Sequence, residues 1–474
     1  MAHYRRFYLV LLTVQKFIAK YGLAAHLAIV AVAPLFLFPF FGEWTVAKAL
    51  LWLSATACLW LVQAPSMHRG ELPHDACRRV ASAILRDPLF WIMLAIMLVT
   101  GVRALNGGIG LEYDFAAGEW RMSSPRMPAF PGAVTGIGSL HFAAVVALTV
   151  MLMAGRHALG RSARMMFMLL GSVLSGTAAV MMLLMVKFGG ERLLPLARCS
   201  QDMTSFVGCA FAVYLLAGTA ALVAAFERGW KMAMPFLILA LGGSAAGALA
   251  FAPMQGTAIF AMAELVLLGY AFFYVLRRLD VIAGYKLLVV VGVAMVAGAL
   301  LVAWALPQAV IDDRLAVFDK KDLLAADFFA MRDALSVVAR KTWLAHPWLG
   351  TGLGSFPLDV RFCIADGELT AIPPGMTGVP NCYWLLLVER GIVGAVMLGL
   401  PLAVLVFTYG KRLFDGVVSR EIPHPACWVA VLAVAASAFV GFFECSFLRV
   451  ELLMGAGMLF ALSASSFPVI AEKG

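Results

Sequence analysis

The sequence predicts an all-α polytopic membrane protein with about twelve transmembrane helices and one long extracytoplasmic loop that contains helices. Two observations predict this fold class. Of the 474 residues, 63% are hydrophobic and only 13% are charged, whereas an average soluble domain has about 25% charged residues. The apolar residues also come in blocks of about 20, which is the length of a helix that spans a bilayer.

The predicted spans follow one another along almost the whole chain. They cover residues 22–41, 44–64, 88–105, 136–155, 165–187, 206–226, 234–251, 257–276, 287–306, 383–408, 428–443 and 450–467. Some of these blocks are at the minimum length for crossing a bilayer, so totals of eleven and thirteen stay open. The chain therefore divides into spans one to nine within 21–306, a long loop at 307–382, and spans ten to twelve within 383–474.

Residues 1–20 precede the first span and carry Arg5 and Arg6 before a short apolar run. This pattern predicts a cytoplasmic helix lying at the membrane interface. Lys and Arg concentrate in the cytoplasmic loops of membrane proteins. With the N-terminus in the cytoplasm, the short outer segments carry few basic residues: Arg121, Arg126, Arg192, Arg198 and Arg449. Both termini are then cytoplasmic, and the net charge of +9 reflects anchoring at the inner leaflet rather than binding of nucleic acid.

Two outer segments are long enough to carry function. Segment 106–135 is rich in Gly, Pro and Trp, which predicts an ordered cap with turns. The loop at 307–382 contains Cys363 and Cys382, which bracket a Pro/Gly-rich stretch in a compartment where disulfides persist. A bridge between them and two separate thiols both stay open. The remaining Cys and His residues show no metal-ligand spacing, so we expect no metal.

The long loop predicts a helix over residues 327–345. Its apolar residues fall near one face: Phe328, Met331, Leu335, Val338 and Thr342. Arg332, Ser336 and Arg340 recur one turn apart on another face, with Lys341 beside them. Guanidinium groups suit a diphosphate because they donate two parallel hydrogen bonds to phosphate oxygens. A solvated charged face is the alternative.

A turn follows this helix. His346 and Pro347 end the helix, and Gly350, Gly352 and Gly354 come next. The G-x-G-x-G spacing is neither a dinucleotide fingerprint nor a P-loop, which requires a Lys after its last Gly. The glycines therefore predict a tight structural turn that supports the helix, rather than a loop that holds phosphate.

Charged residues also occur within predicted spans, where they are costly and usually paired or functional. Glu264, Glu389 and Arg390 are such residues, and we expect Glu264 and Arg390 to face the bundle interior and to pair. The alternative is that each reaches the interface or a backbone carbonyl. Arg103 lies at the outer end of its span. It is either an interfacial anchor or part of a diphosphate site.

Two stretches carry a family resemblance: "RDALSVVARKTWLAHPWLGTGLGSF" and, downstream, "PNCYWLLLVERGIVGAVMLGL". Together they resemble the O-antigen ligase and O-antigen polymerase family of bacterial integral-membrane glycosyltransferases. In the first stretch the matching residues form the turn: Pro347, Gly350, Gly352 and Phe356. In the second stretch the matching residues are Asn381, Tyr383, Glu389, Gly391 and Gly394.

The resemblance implies transfer or polymerisation of a glycan from a polyprenyl-diphosphate donor, such as an undecaprenyl diphosphate. The acceptor would be a glycan or lipid A-core, at the outer face of the inner membrane, in lipopolysaccharide or other polysaccharide biosynthesis. It implies contact with membrane lipids, no nucleic acid and no cofactor. The resemblance implies a catalytic role for Arg332, whereas His346 is a catalytic candidate taken from the residues alone. The candidate substrate-binding residues are Arg340, Lys341, Gln255, Asn381 and Arg103.

The chain departs from the family at two positions. Pro380 stands where the family has His, and Gln255 stands where it has Arg. Three interpretations remain open: an active enzyme with a base from elsewhere, catalysis by orientation and by Arg332 alone, or a non-catalytic homologue or accessory subunit of an exopolysaccharide system. Candidate replacement bases are His346, Asp366 and Glu368. A polysaccharide or lipid transporter is a weaker rival, because few charges lie in the inner half of the spans.

Overall fold

The computed structural model describes residues 2–37, 41–69, 73–114, 118–123, 125–127, 130–134, 136–188, 204–252, 254–308, 311, 326–365, 381–418 and 423–441. Most of these residues are helical, and a small four-stranded sheet is present as well. The prediction of an all-α fold is therefore right for the bundle and incomplete at the end of the bundle where the sheet lies.

The helices of the described part are α1 (Ala2–Leu37), α2 (Glu43–Arg69), α3 (Pro73–Leu85), α4 (Pro88–Leu105), α5 (Ile137–Met153), α6 (Arg161–Phe188), α7 (Thr204–Glu227), α8 (Met234–Phe251), α9 (Met254–Arg278), α10 (Val281–Ala305), α11 (Ala326–Ala345), α12 (Phe356–Ala365), α13 (Cys382–Val418) and α14 (Ala426–Val440). Ten of them are long and apolar enough to cross a membrane, namely α1, α2, α4 to α10 and α13. They correspond to the first ten predicted spans.

The remaining span predictions have different outcomes. The predicted span 428–443 corresponds to α14, which has only 15 residues. The predicted span 450–467 lies outside the described residues. Helix α1 runs from Ala2 to Leu37 without interruption, and the part of it that is apolar enough to cross a membrane begins at Lys20. The position of residues 1–20 at the membrane interface stays a prediction.

The bundle is packed around α7, whose side chains are buried almost throughout. Small residues let its neighbours approach closely: a Cβ at Gly243 of α8 would overlap the carbonyl oxygen of Gly176 in α6. Such small-residue contacts are typical of helices packed in membranes, because van der Waals packing replaces the hydrophobic effect there.

The sheet joins two segments that are far apart in the sequence. Its strands are β1 (Gly107–Asp114), β2 (Glu119–Ser123), β3 (Gly132–Val134) and β4 (Gly352–Leu353), in the order β2-β1-β3-β4. β1 and β2 are antiparallel, whereas β3 is parallel to both β1 and β4. Because β4 comes from the long loop, the sheet fastens that loop to segment 106–135. We call this end of the bundle the sheet end.

The helix predicted over 327–345 is present as α11, and its apolar face packs as expected. Leu335 and Val338 are buried in a cluster with Val388 of α13 and with Phe356 and Val360 of α12. The side chains of Phe328 and Met331 lie outside the described residues. This cluster fixes α11 over α12 and over the first turns of α13.

A polar cluster lies at the N-terminal end of α4, away from the sheet end. Asp87 caps the helix by accepting a hydrogen bond from the Leu89 amide (3.0 Å). Arg156 and His157, in a π-helical turn after α5, contact the same carboxylate at 2.6 and 2.9 Å. Burial alone would raise the pKa of Asp87, but these hydrogen bonds and the charge of Arg156 outweigh it and lower the pKa. The cluster ties α4 to α5.

Candidate functional site

Helix α13 is broken near the sheet end. Gly391 has φ 65° and ψ −175°, which no helix contains, so the chain forms a first half at Cys382–Arg390 and a longer second half. The first half begins against α14, where the Cys382 amide donates to the Gly441 carbonyl (2.9 Å). It ends beside Arg103 of α4. The first half therefore bridges the ends of α14 and α4.

The turn after α11 fits into this break. The amides of Ile392 and Val393, at the start of the second half, donate to the carbonyls of Pro347 (2.9 Å) and Trp348 (3.1 Å). A helix start leaves such amides without intrahelical partners. The turn supplies those partners, so its contact with the break is structural.

Two glycines make this close contact possible. A Cβ at Gly350 would lie 2.5 Å from the carbonyl carbon of Glu389, and a Cβ at Gly391 would overlap the Trp348 carbonyl. Both residues also have positive φ, 72° and 65°, a region that other residues rarely adopt. The other two turn glycines, Gly352 and Gly354, have positive φ as well. The turn glycines thus shape a structural turn.

Arg103 of α4 also contacts the break in α13. It is only 2% exposed. Its guanidinium donates to the carbonyls of Glu389 (3.0 Å) and Leu349 (2.7 Å), with a longer contact to that of Arg390 (3.5 Å). Thr351 donates its amide to the Val388 carbonyl (2.8 Å). The carbonyls of Val388, Glu389 and Arg390, at the end of the first half-helix, therefore each have a partner, as a buried helix end requires.

These contacts exclude one of the two alternatives for Arg103. It is not an interfacial anchor, because its side chain is buried. Both of its terminal nitrogens donate to protein carbonyls, and a role at a diphosphate site stays a prediction. Only its Nε is enclosed without a partner among the residues that the structure describes. Arg103 is thus first of all a structural link between α4, the turn and α13.

Glu389 and Arg390 are buried beside Arg103, at 6% and 7% exposure. The negative charge of Glu389 stabilises the charged forms of both arginines and destabilises the charged form of Asp359. One Arg390 terminal nitrogen, Nη2, lies 3.4 Å from Nδ1 of His141 on α5. Because Arg390 sits at the break, it lies level with the end of α4 that carries Arg103.

The predicted pair between Glu264 and Arg390 is wrong. Glu264 is buried in α9 and accepts a hydrogen bond from the Thr219 hydroxyl of α7. Its second oxygen, Oε2, has no hydrogen-bond partner within the described ranges. Arg390 instead shares its surroundings with Glu389, Arg103 and His141.

Sequence reasoning missed Asp359, which lies in the first turn of α12. Its Oδ2 is enclosed without a hydrogen-bond partner in the described part of the chain. Burial, and then the charge of Glu389, raise the pKa of Asp359 to about 7. A carboxyl group with such a pKa can take up a proton near neutral pH, which is what a general base requires. An acid at a helix start normally indicates only dipole stabilisation, so the sequence held no clear signal.

Other predicted site residues lie elsewhere or outside the described part. His346, Arg340 and Lys341 have exposed side chains. Asn381 caps α13, since its Oδ1 accepts from the Trp384 amide (2.8 Å). The side chains of Arg332 and Gln255 lie outside the described residues, although their helices α11 and α9 are described. Pro380, Asp366 and Glu368 lie outside them entirely.

The described residues do not test the bridge between Cys363 and Cys382, which stays one of two alternatives. Cys382 is a buried thiol at the start of α13, and a Cβ at Gly441 of the chain following α14 would lie 3.4 Å from its Cβ. The side chain of Cys363, in α12, lies outside the described residues. In the part of the chain that the structure describes, no group of His, Cys, Asp and Glu could hold a metal ion.

Comparison with known proteins adds no relative to this picture. No protein-family model matches the chain, and no curated protein matches it. The functional argument therefore depends on two things, the geometry at the break in α13 and the short motifs that meet there.

Proposed function

We propose that the protein is a membrane glycosyltransferase of the O-antigen ligase and polymerase type. It transfers glycan from a polyprenyl-diphosphate donor to a glycan or lipid A-core acceptor. The single observation that carries the proposal is the contact between the two motif-bearing segments. The turn at 347–350 and the segment around Gly391 resemble separate parts of one family pattern, and they meet at backbone distance.

The placement of charge supports the proposal. A departing diphosphate needs positive groups that already point to where negative charge develops. Helix α11, which carries Arg332, packs on α12 and α13 through Leu335 and Val338. Arg390 is buried at the break of the same α13. Two helices that carry basic residues thus pack together at one end of the bundle, where we assign the donor diphosphate.

Asp359 supplies the base that Pro380 cannot provide. In the proposed reaction, a hydroxyl of the acceptor gives its proton to the Asp359 carboxylate. The hydroxyl oxygen forms a bond to the anomeric carbon of the donor glycan. The bond from that carbon to the diphosphate oxygen breaks, and its electron pair leaves with the diphosphate, whose charge the arginines stabilise.

The proposed orientation places the sheet end at the outer face of the bacterial inner membrane, with both termini in the cytoplasm. There the donor glycan is available and the diphosphate bond itself provides the driving force, so no nucleotide is needed. The positive charge of the predicted inner loops supports this orientation.

The test is a transfer assay with purified protein in proteoliposomes and a glycan linked to undecaprenyl diphosphate. We expect the wild type to turn over, whereas Arg332→Ala and Asp359→Asn lose activity by at least about 100-fold. Asp333→Asn, an exposed neighbour on α11, is the control and keeps full activity. Full activity of Asp359→Asn would remove it as the base. A folded wild type that binds donor without turnover would favour the non-catalytic homologue.

A further inference from the structure

Helix α11 has apolar residues on two opposite faces. One face, which carries Leu335 and Val338, is buried against α12 and α13. The opposite face carries Val337 and Leu344, which lie about two turns apart and are each more than half exposed. The outer face of a helix that packs on a protein surface is normally polar, because it faces water. The second apolar face of α11 therefore indicates a further contact.

The exposed apolar residues continue from α11 onto the turn that follows it. Trp348, a residue type that is enriched where a membrane meets water, is more than half exposed, and Leu349 is 37% exposed. We call Val337, Leu344, Trp348 and Leu349 the α11 patch. Groups of large exposed apolar side chains mark surfaces that bind a protein or a membrane. The position of the patch and the charges around it decide between these two partners.

The α11 patch lies beside the end of a helix that is suited to crossing the membrane. The Arg103 guanidinium, in the last turn of α4, donates to the Leu349 carbonyl at 2.7 Å. Helix α4 is long and apolar enough to cross a membrane. The exposed side chains of Leu98, Val102 and Leu105 lie along one face of it and suit contact with lipid. The turn therefore lies at the level where this apolar face of α4 ends.

Basic residues accompany the apolar residues of the patch. Arg340 and Lys341 lie between Val337 and Leu344 on the same exposed face, whereas Asp333 lies one turn before Val337, at the end of the face that is further from the turn. Interfacial helices combine apolar residues that enter the lipid with Lys and Arg that meet anionic headgroups. Protein–protein interfaces, by contrast, are depleted in Lys. An anionic lipid surface thus fits the patch better than a protein does.

We infer that the exposed face of α11 and the turn after it form a membrane-binding surface for anionic phospholipids. Val337, Leu344 and Trp348 enter the apolar part of the leaflet that lies next to the sheet end. Arg340 and Lys341 contact the headgroup phosphates of that leaflet. Helix α11 is then held from both sides, by protein on its buried face and by lipid on its exposed face. The inference does not rest on the proposed function, since a non-catalytic homologue would bind lipid in the same way.

The accessibility of a spin label tests where the α11 patch lies. The full-length protein is placed in vesicles of phosphatidylethanolamine and phosphatidylglycerol. Leu344 is replaced by p-acetylphenylalanine, which carries the label and leaves the eight native cysteines in place. Collisions of the label with oxygen, which dissolves in lipid, are compared with its collisions with a nickel chelate, which stays in water. The references are labels at Leu98, on the exposed apolar face of α4, and at Glu112, an exposed residue of β1.

We expect the ratio of oxygen to nickel collisions at position 344 to match the ratio at position 98 and to exceed the ratio at position 112 at least about fivefold. A ratio as low as the one at position 112 would show a solvated face and overturn the inference. Low collision rates with both reagents would show a protein contact and overturn it as well. The measurement needs no turnover, so its outcome is separate from that of the transfer assay.

Two paired variants test the contact with headgroups, with the same label in place. Arg340→Gln together with Lys341→Gln removes the two basic residues of the exposed face. Arg121→Gln together with Arg361→Gln is the matched control, because it removes two exposed arginines from β2 and α12 instead.

The collision ratio at position 344 should fall at least about twofold for the first pair in vesicles that contain phosphatidylglycerol, because attraction to anionic headgroups is electrostatic. It should fall for neither pair in vesicles of phosphatidylcholine alone. No fall for the first pair, or an equal fall for both pairs, would overturn the assignment of Arg340 and Lys341 to anionic headgroups.

Discussion

Replacement of Gly391 by Ala is the sharpest test of the broken helix. At this position φ is 65°, and an added Cβ would overlap the carbonyl oxygen of Trp348. Alanine therefore either keeps the break under strain or forces the turn away from α13. If the turn moves, the amides of Ile392 and Val393 lose the carbonyls of Pro347 and Trp348.

The magnitude follows from these two costs. A non-glycine residue at φ 65° and ψ −175° costs about 1–3 kcal/mol. The loss of two backbone hydrogen bonds costs about 0.5–1.5 kcal/mol each. Because alanine incurs one cost or the other, Gly391→Ala should destabilise the protein by about 1–3 kcal/mol. Loss of the turn would also disturb the contact on which the proposed site depends.

Gly399→Ala is the matched control on the same helix. A Cβ at Gly399 meets nothing within 4 Å, so alanine there should be neutral or should stabilise the helix by about 0.5–1 kcal/mol. Thermal unfolding in detergent, followed through the reaction of buried thiols such as Cys382 with a fluorogenic maleimide, measures both variants. Indistinguishable unfolding midpoints for the two alanine variants would refute the break and its packing.

Three further predictions concern charged residues. Arg103→Met leaves several carbonyls without donors and should destabilise the protein by about 3–6 kcal/mol. The control, Arg121→Met, removes an exposed ion pair and should cost less than about 1 kcal/mol. Thermal unfolding compares the two variants. Because the folded-state pKa of Asp87 is lowered, its contribution is present at neutral pH and is lost as the pH falls below about 3.9. Asp87→Asn should therefore lower stability by about 1.5–3 kcal/mol at pH 7, and unfolding titrated towards pH 3 should show the deficit shrinking. The raised pKa of Asp359, about 7, has the opposite sign: the stability that the protonated carboxyl gives is fully present below about pH 3.9 and is lost as the pH rises to about 7. Asp359→Asn should therefore gain up to about 1.4 kcal/mol per pH unit over the wild type between about pH 4 and pH 7 and stay level above that, in unfolding measured from pH 4 to 9.

The bundle was predictable because hydrophobicity is a local property of the sequence. Ten of the predicted spans correspond to helices long enough to cross a membrane, and the apolar face of α11 followed from its spacing. The sheet was not predictable in the same way. β4 has only two residues, and its partner β3 lies in a distant segment. Pairing of that kind leaves almost no local pattern.

The candidate site was predicted in its parts but not in its assembly. The turn glycines and the segment around Glu389 and Gly391 were identified from the sequence, and the structure brings them together. No sequence pattern indicated the break, since glycine is common within membrane helices. Arg103 and Asp359 were misjudged or missed for the same reason. Their roles arise from contacts with a break that exists only in three dimensions.

The break, the turn and Arg103 form a single unit, and the membrane explains why. At a helix break, carbonyls and amides lose their intrahelical partners, and a bilayer offers no water to replace them. In this protein the turn satisfies the amides after Gly391, while Thr351 and Arg103 satisfy the carbonyls before it. None of these elements is stable in its position without the others. Substitutions of a turn glycine and of Arg103 should therefore have non-additive effects on the free energy of unfolding in double-mutant cycles, because each substitution removes part of the same support.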